Sequence, residues 1–200
     1  MKRTLLLVDV QNDFLPGGAL AVPGGDEILA PINLILPAYD LVVATQDWHP
    51  PDHGSFAANH PGRELYETIN LNGLPQTLWP VHCVQHTGGA LFAQGLDTHR
   101  IDRVFEKGTD PAVDSYSGFF DNGRRRDTGL AGWLQDHGVT HLDVAGLATD
   151  YCVKATVLDA LAEGFTVTLL LSACRGVGLQ FGDIAIAIDQ MLAAGAAIGE

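Results

Sequence analysis

The sequence predicts an α/β fold: a three-layer α/β/α sandwich built on a mostly parallel sheet. Three observations carry that expectation. Short apolar runs alternate with helical patterns along the chain, the order that gives parallel strands joined by helical crossovers. The first run, Leu5 to Val8, is continuously apolar rather than alternating, as in a strand buried on both faces. The 200 residues contain no internal repeat, low-complexity tract or linker, so they are expected to form one domain spanning 1–200 with a substantial core.

The elements follow in order. Strands are expected at Thr4–Val8, Leu41–Thr45, Arg103–Glu106, His141–Ala145 and Thr166–Leu171, with Ala196–Ile198 as a short edge strand. Helices are expected at Asp26–Leu36, Leu130–His137, Val153–Glu163 and Asp183–Ala194. Pro31 must fall in the first turn of the first helix or kink it. Gly138, Gly164 and Gly195 stop the other three. The stretch from about 46 to 95 breaks this rhythm, with five prolines and five histidines. Long irregular segments inside compact domains are usually functional, and this one is expected to be a metal-binding insertion.

Composition narrows the class. A hydrophobic fraction of 46% with 18% charged residues is globular. The net charge of −13 argues against a nucleic-acid partner, and the Arg124-Arg125-Arg126 cluster reads as a solvated face. No run approaches eighteen apolar residues, so no membrane span is expected. The opening MKRTLLLVDVQND is too short in its apolar run for a secretory signal. Three scattered cysteines argue against a disulfide framework and for a cytoplasmic location.

Cys152 lies at the start of a helical pattern in which Val153, Val157, Ala160 and Leu161 share a face, with Thr149 and Asp150 as candidate N-caps. Unpaired N–H groups at a helix start favour thiolate, which makes Cys152 a candidate nucleophile; taken alone it reads equally as a buried core cysteine, and two other segments turn the reading toward chemistry. Asp9 interrupts an apolar strand, where a carboxylate is costly without a partner or a task. Lys107 ends another strand, in Phe105-Glu-Lys-Gly108. Ligands of open parallel sheets bind beyond the strands' carboxyl ends, so Asp9, Lys107 and Cys152 are expected in one crevice. Asp47 and His49, two apart in an extended segment, point the same way, and His82 follows in Leu78-Trp-Pro-Val-His-Cys83. One carboxylate and two imidazoles make a candidate open site for one divalent metal ion, with zinc, iron or manganese all suited to O/N ligation. His53 and His86 are candidate further ligands or outer-shell groups, and Tyr151 is a candidate outer-shell group. Cys83 and Cys174 read as core residues.

The strings LLLVDVQNDFLPGGAL, ATQDWHPPDHGSF, LWPVHC, FEKG, YSGF and GLATDYCV occur in order over nearly the whole chain. Together they resemble the nicotinamidase (pyrazinamidase) branch of the isochorismatase-like cysteine hydrolases. The resemblance implies a six-stranded sheet and a triad of Asp9, Lys107 and Cys152. It implies a metal held by Asp47, His49 and His82, and a cis peptide at Leu147–Ala148. Ala148 and Cys152 would then offer their N–H groups as an oxyanion hole. It implies hydrolysis of nicotinamide to nicotinate and ammonia through a thioester, in NAD salvage, with side activity on pyrazinamide. Phe14, Trp79 and Tyr116 would wall the ring, and Lys107 would lower the cysteine pKa. A homo-oligomer is one of the assemblies such relatives adopt. Two alternatives stand beside this: a sibling amidase acting on a carbamoyl or ureido substrate, and a non-catalytic metal- or redox-sensing protein in which Cys152 is a sensor thiol.

Overall fold

A computed structural model describes residues 2–199. Six strands form a parallel sheet: β1 (Thr4–Val8), β2 (Leu41–Asp47), β5 (Arg103–Lys107), β6 (His141–Leu147), β7 (Thr166–Arg175) and β8 (Ala197–Gly199). Their order across the sheet is β5-β2-β1-β6-β7-β8, with β8 at an edge. The chain first builds outward from β1 to β2 and β5, then crosses back to add β6, β7 and β8 on the other side. Strand order therefore reverses between β1 and β6. A crevice opens at such a switch point, beyond the strands' carboxyl ends.

Side chains of β1 alternate between two cores. Leu5 and Leu7 pack with Ile28, Ile32 and Leu36 around helix α1 (Leu29–Ile35). Leu6 and Val8 pack on the opposite face with Leu130, Leu134, Val153, Val157 and Met191. Those residues come from α2 (Leu130–Asp136), the turn before α3 (Lys154–Ala162), α3 itself and α4 (Asp183–Ala193). All four β1 leucines and valines are wholly buried, which explains the unbroken apolar run. Each such side chain contributes roughly 1.5–3 kcal/mol.

Most elements fall where the sequence places them, and the departures have physical causes. The first helix is broken into a 3-10 turn (Gly25–Ile28), α1 and a second 3-10 turn (Leu36–Ala38). Pro31 sits in the first turn of α1, where its missing N–H costs nothing, and Pro37 ends the regular part. Strands β2, β5, β6 and β7 run further than hydropathy suggests. β2 and β5 stay paired as far as Asp47 opposite Lys107, so two charged residues remain inside the ladder. The edge strand lies one residue later than expected, at Ala197–Gly199. The irregular stretch also contains an antiparallel hairpin, β3 (Thr68–Leu71) and β4 (Leu74–Thr77). Asn72 and Gly73, with φ of 51° and 92°, form its two-residue turn, and the Asn-Gly pair is the sequence signal for it. Among the described residues no helix is long and apolar enough to cross a membrane.

Gly146 fixes how closely β6 approaches β1. Its φ is 131°, and a Cβ there would fall on the Val8 backbone. It also sits at the register shift between β6 and β7. Gly146→Ala is expected to cost about 3 kcal/mol or more, since backbone cannot yield as a side chain can. Thermal unfolding should show a Tm lowered by roughly 10 °C.

Candidate active site

The carboxyl ends of β1, β2, β5 and β6 meet at one point. Asp9 follows β1 directly, in a left-handed conformation with φ of 49° that turns its carboxylate inward. Non-glycine residues in that region carry a cost of order 1–3 kcal/mol and cluster at functional sites. Lys107, the last residue of β5, is the hub. Its Nζ lies 2.9 Å from Asp9 Oδ2 and donates to Asp47 Oδ1 at 2.8 Å, to the Ser115 carbonyl at 2.8 Å and to Cys152 Sγ at 3.5 Å. Asp9 Oδ1 accepts a 2.6 Å hydrogen bond from the Thr45 hydroxyl. Lys107 thus joins Asp9 and Cys152 at one point.

Electrostatics at this point depend on burial. Desolvation pushes the Asp9 carboxyl up, against the opposing pull of Lys107, so Asp9 is a stronger base than a surface aspartate. Burial also opposes the charge on Lys107, but Asp47 and Asp9 overcome it and hold the ammonium form. For Cys152 the outcome differs from expectation. Lys107 does pull the thiol down, as the sequence suggested, but desolvation is larger and Asp9 adds to it, leaving the thiol well above its usual range. In the free protein the proton therefore rests on sulfur, beside a base ready to take it.

The helix start also differs from expectation. Thr149–Val153 forms a π-helical turn entered from Ala148, and α3 begins only at Lys154. Neither Thr149 nor Asp150 caps a helix; the Asp150 carboxylate reaches a different loop. The Leu147–Ala148 peptide is cis, as the family resemblance implied. Among the described residues the Ala148 N–H makes no hydrogen bond, and Ala148 faces the same cavity as Cys152.

Asp47, His49 and His82 bring three ligand atoms within 4.8 Å of one another. His49 Nε2 lies 3.1 Å and His82 Nε2 3.5 Å from Asp47 Oδ2. Each ring's other nitrogen is held by a backbone carbonyl: His49 Nδ1 by Gly108 at 2.8 Å, His82 Nδ1 by Pro80 at 2.7 Å. With each Nδ1 turned to a carbonyl, both Nε2 atoms face the shared point, the arrangement in which metal-ligating histidines are found. The Gln11 side chain pins Asp47 by accepting from its N–H at 2.7 Å and donating to its carbonyl at 2.8 Å. Gly108 has a φ of 66°, and a Cβ there would collide with the His49 ring. Gly108→Ala is expected to push His49 out of line and weaken metal affinity about 10- to 100-fold, read by titrating the chelated protein with metal.

His53 does not join this trio. Its Nδ1 accepts from the Ser55 N–H at 3.2 Å and lies 2.7 Å from the Ser55 hydroxyl, while its buried Nε2 has no hydrogen-bond partner among the described residues. Burial, and then His49, hold its pKa down at about 4. It groups instead with His49 and Asp114, a buried carboxylate that the sequence reading passed over. Asp114 has no local motif; its carboxylate accepts from Gln76, in the unpredicted hairpin, at 2.9 Å and from the Ser115 N–H at 2.8 Å. His86 packs edge-on against Trp48, away from the cluster. Cys83 and Cys174 are buried, as expected, although Cys83 lies in a loop rather than a strand.

A cavity opens over both groups. Phe14, Trp79 and Tyr116 line it, as anticipated, together with Leu20 and Val177. Tyr151, expected as an outer-shell group, is itself part of the wall and meets Trp79 edge-on at 4.8 Å. An aromatic-walled cavity that holds a thiol, two imidazoles and a carboxylate suits a small planar ring bearing one reactive carbonyl.

Comparison with known proteins agrees with this geometry. The isochorismatase domain family matches residues 3–199. The nicotinamidase of Escherichia coli (strain K12) is 54% identical over 98% of this chain and 93% of its own. The solved nicotinamidase/pyrazinamidase of Acinetobacter baumanii superposes with a TM-score of 0.95 at 42% identity, covering 98% of this chain and 95% of the other. A Pyrococcus horikoshii pyrazinamidase in complex with zinc superposes with a TM-score of 0.82 at 37% identity, covering 100% and 99%. The strand order, the residues gathered at its switch point and the matched length agree, and the chain belongs to the isochorismatase family.

Proposed function

We propose that this protein hydrolyses nicotinamide to nicotinate and ammonia by covalent catalysis at Cys152, with pyrazinamide as a second substrate. The observation that carries the proposal is the contact of Asp9, Lys107 and Cys152 beside the Asp47–His49–His82 cluster in one aromatic cavity. High identity to nicotinamidases over nearly the full chain supports the same substrate. A sibling carbamoyl amidase would have no use for an aromatic box lined with imidazoles. A sensor thiol would have no use for an aspartate and a lysine against the sulfur.

Asp9 takes the thiol proton as Sγ attacks the carboxamide carbon. Lys107 stays cationic and stabilises the developing negative charge on sulfur. The N–H groups of Ala148 and Cys152 receive the oxyanion of the tetrahedral adduct, each such donor being worth about 3–4 kcal/mol. Asp9 returns its proton to the departing nitrogen, giving ammonia and a thioester. Asp9 then deprotonates a water that attacks the thioester carbon, and nicotinate leaves with Cys152 again a thiol.

The donor set fits a divalent cation. Around the cluster the side chains of Asp9, Asp47 and Asp114 are buried, and among the described residues Lys107 is the one buried lysine. Two imidazoles with a carboxylate suit zinc, iron or manganese. Bound there, the ion would supply a Lewis-acid point to fix the pyridine nitrogen and aim the amide at Cys152. Zinc is the ion we favour, on the strength of the archaeal relative crystallised with it.

The test is ammonia release from nicotinamide by purified protein, before and after chelation. Activity lost on chelation and restored by zinc is the expected result. No ammonia from the metal-loaded protein, with release from a carbamoyl substrate instead, would overturn the nicotinamide assignment.

A further inference from the structure

Asp150 sits two residues before the nucleophile, is 4% exposed, and takes no part in the chemistry above. Its two carboxylate oxygens accept from the backbone of a separate segment: Oδ1 from the Val177 N–H at 2.9 Å and Oδ2 from the Gly178 N–H at 2.8 Å. That segment leaves β7 and leads into α4. Among the described residues these are the two hydrogen bonds that tie residues 176–179 to the rest of the molecule. Val177 lines the cavity that Tyr151 and Cys152 also line. Beyond it the chain emerges into solvent, where Phe181 is fully exposed. Gly176 keeps the approach close, since a Cβ there would press on Ile184 and, at 2.9 Å, on Asp150 Oδ1.

We infer that Asp150 is a positioning residue that sets the substrate cavity, clamping the Val177 wall to the turn that carries Cys152. A carboxylate is the side chain for this task, because two N–H donors need two acceptor oxygens and the amide of asparagine offers one. Hydrogen bonds from N–H groups to an ionised acceptor are also about twice as strong as neutral ones. Without the clamp the wall samples open positions, and the binding-competent fraction of the protein falls. Apparent affinity drops by that fraction, while a saturated enzyme still reacts at its own rate. The clamp therefore governs KM and ring selectivity rather than the chemical step.

The kinetic part of this inference rests on nicotinamide being the substrate; the structural part does not. Asp150→Ala is expected to raise KM for nicotinamide about tenfold or more with kcat changed less than about threefold. Asp150→Asn should fall between it and wild type. Val177→Ala, which keeps the clamp and trims the wall, should share the higher KM. Hydrogen exchange on the same proteins, with no substrate present, should show the Val177 and Gly178 amides exchanging faster in Asp150→Ala and at the wild-type rate in Val177→Ala. A variant with lowered kcat and unchanged KM, or with unchanged exchange at both amides, would overturn the clamp. If wild type releases no ammonia from nicotinamide, the substrate assignment fails, and exchange at the two amides still decides the clamp.

Discussion

Cys152→Ala is expected to abolish ammonia release, by at least about 10⁴-fold, because removing a nucleophile from a cooperating triad costs about as much as removing all of it. The loss should come without unfolding. Cys152 is buried, and deleting one sulfur from a site beside open cavity space costs about 1 kcal/mol, a Tm change of a few degrees. Metal content should stay at the wild-type level, since Cys152 lies outside the ligand trio. A folded, metal-loaded Cys152→Ala protein that still turns over would remove the thioester from the mechanism. The state of the thiol can be tested separately. Burial outweighs Lys107 at the sulfur, so in chelated protein the alkylation rate of Cys152 should climb with pH, with no plateau up to about 9. Restoring a divalent ion adds positive charge nearby and should move that profile down.

Much of this site was legible because its residues interrupt patterns. Asp9 breaks a leucine-valine run, Lys107 ends a strand, and Cys152 opens a helical period. Each anomaly made sense only if the strand ends converged, and the sheet order makes them converge. Asp114 and Asp150 were not legible in that way. Both lie in irregular backbone, and their partners, Gln76 in the hairpin and the amides after β7, are distant in sequence. The hairpin itself carried an Asn-Gly signal, which five prolines nearby obscured. Asp150 looked like a helix cap because caps and loop clamps use the same side chain for the same reason, unpaired N–H groups. The cysteine pKa was misjudged because sequence shows neighbouring charges but not desolvation, and desolvation is the larger influence on a sulfur this deeply buried.

Lys107→Met should damage both fold and function, for one physical reason. Among the described residues Lys107 is the sole buried lysine, and its Nζ lies within 3 Å of both Asp9 and Asp47. Methionine fills nearly the same volume, so packing survives while two carboxylates lose their shared cation. Removing one partner from a buried ion pair typically costs about 3–5 kcal/mol, which here corresponds to a Tm lower by roughly 10 °C or more. The sign of the pH dependence follows from Asp9. Its folded-state pKa is already raised by burial, and losing Lys107 raises it further. A raised carboxyl pKa favours the folded state at low pH, and that contribution is lost as pH rises through the folded value. The Tm gap between variant and wild type should therefore narrow as pH falls from about 8 toward about 5. Turnover should drop about 10²- to 10³-fold, the scale for losing one charge-stabilising group, even where the variant remains folded. Alkylation of Cys152 should slow as well, because Lys107 is the group pulling its pKa down. A Tm gap that stays constant or widens on acidification would mean that Lys107 is held by packing alone, and Asp9 would then have to find its stabilisation elsewhere.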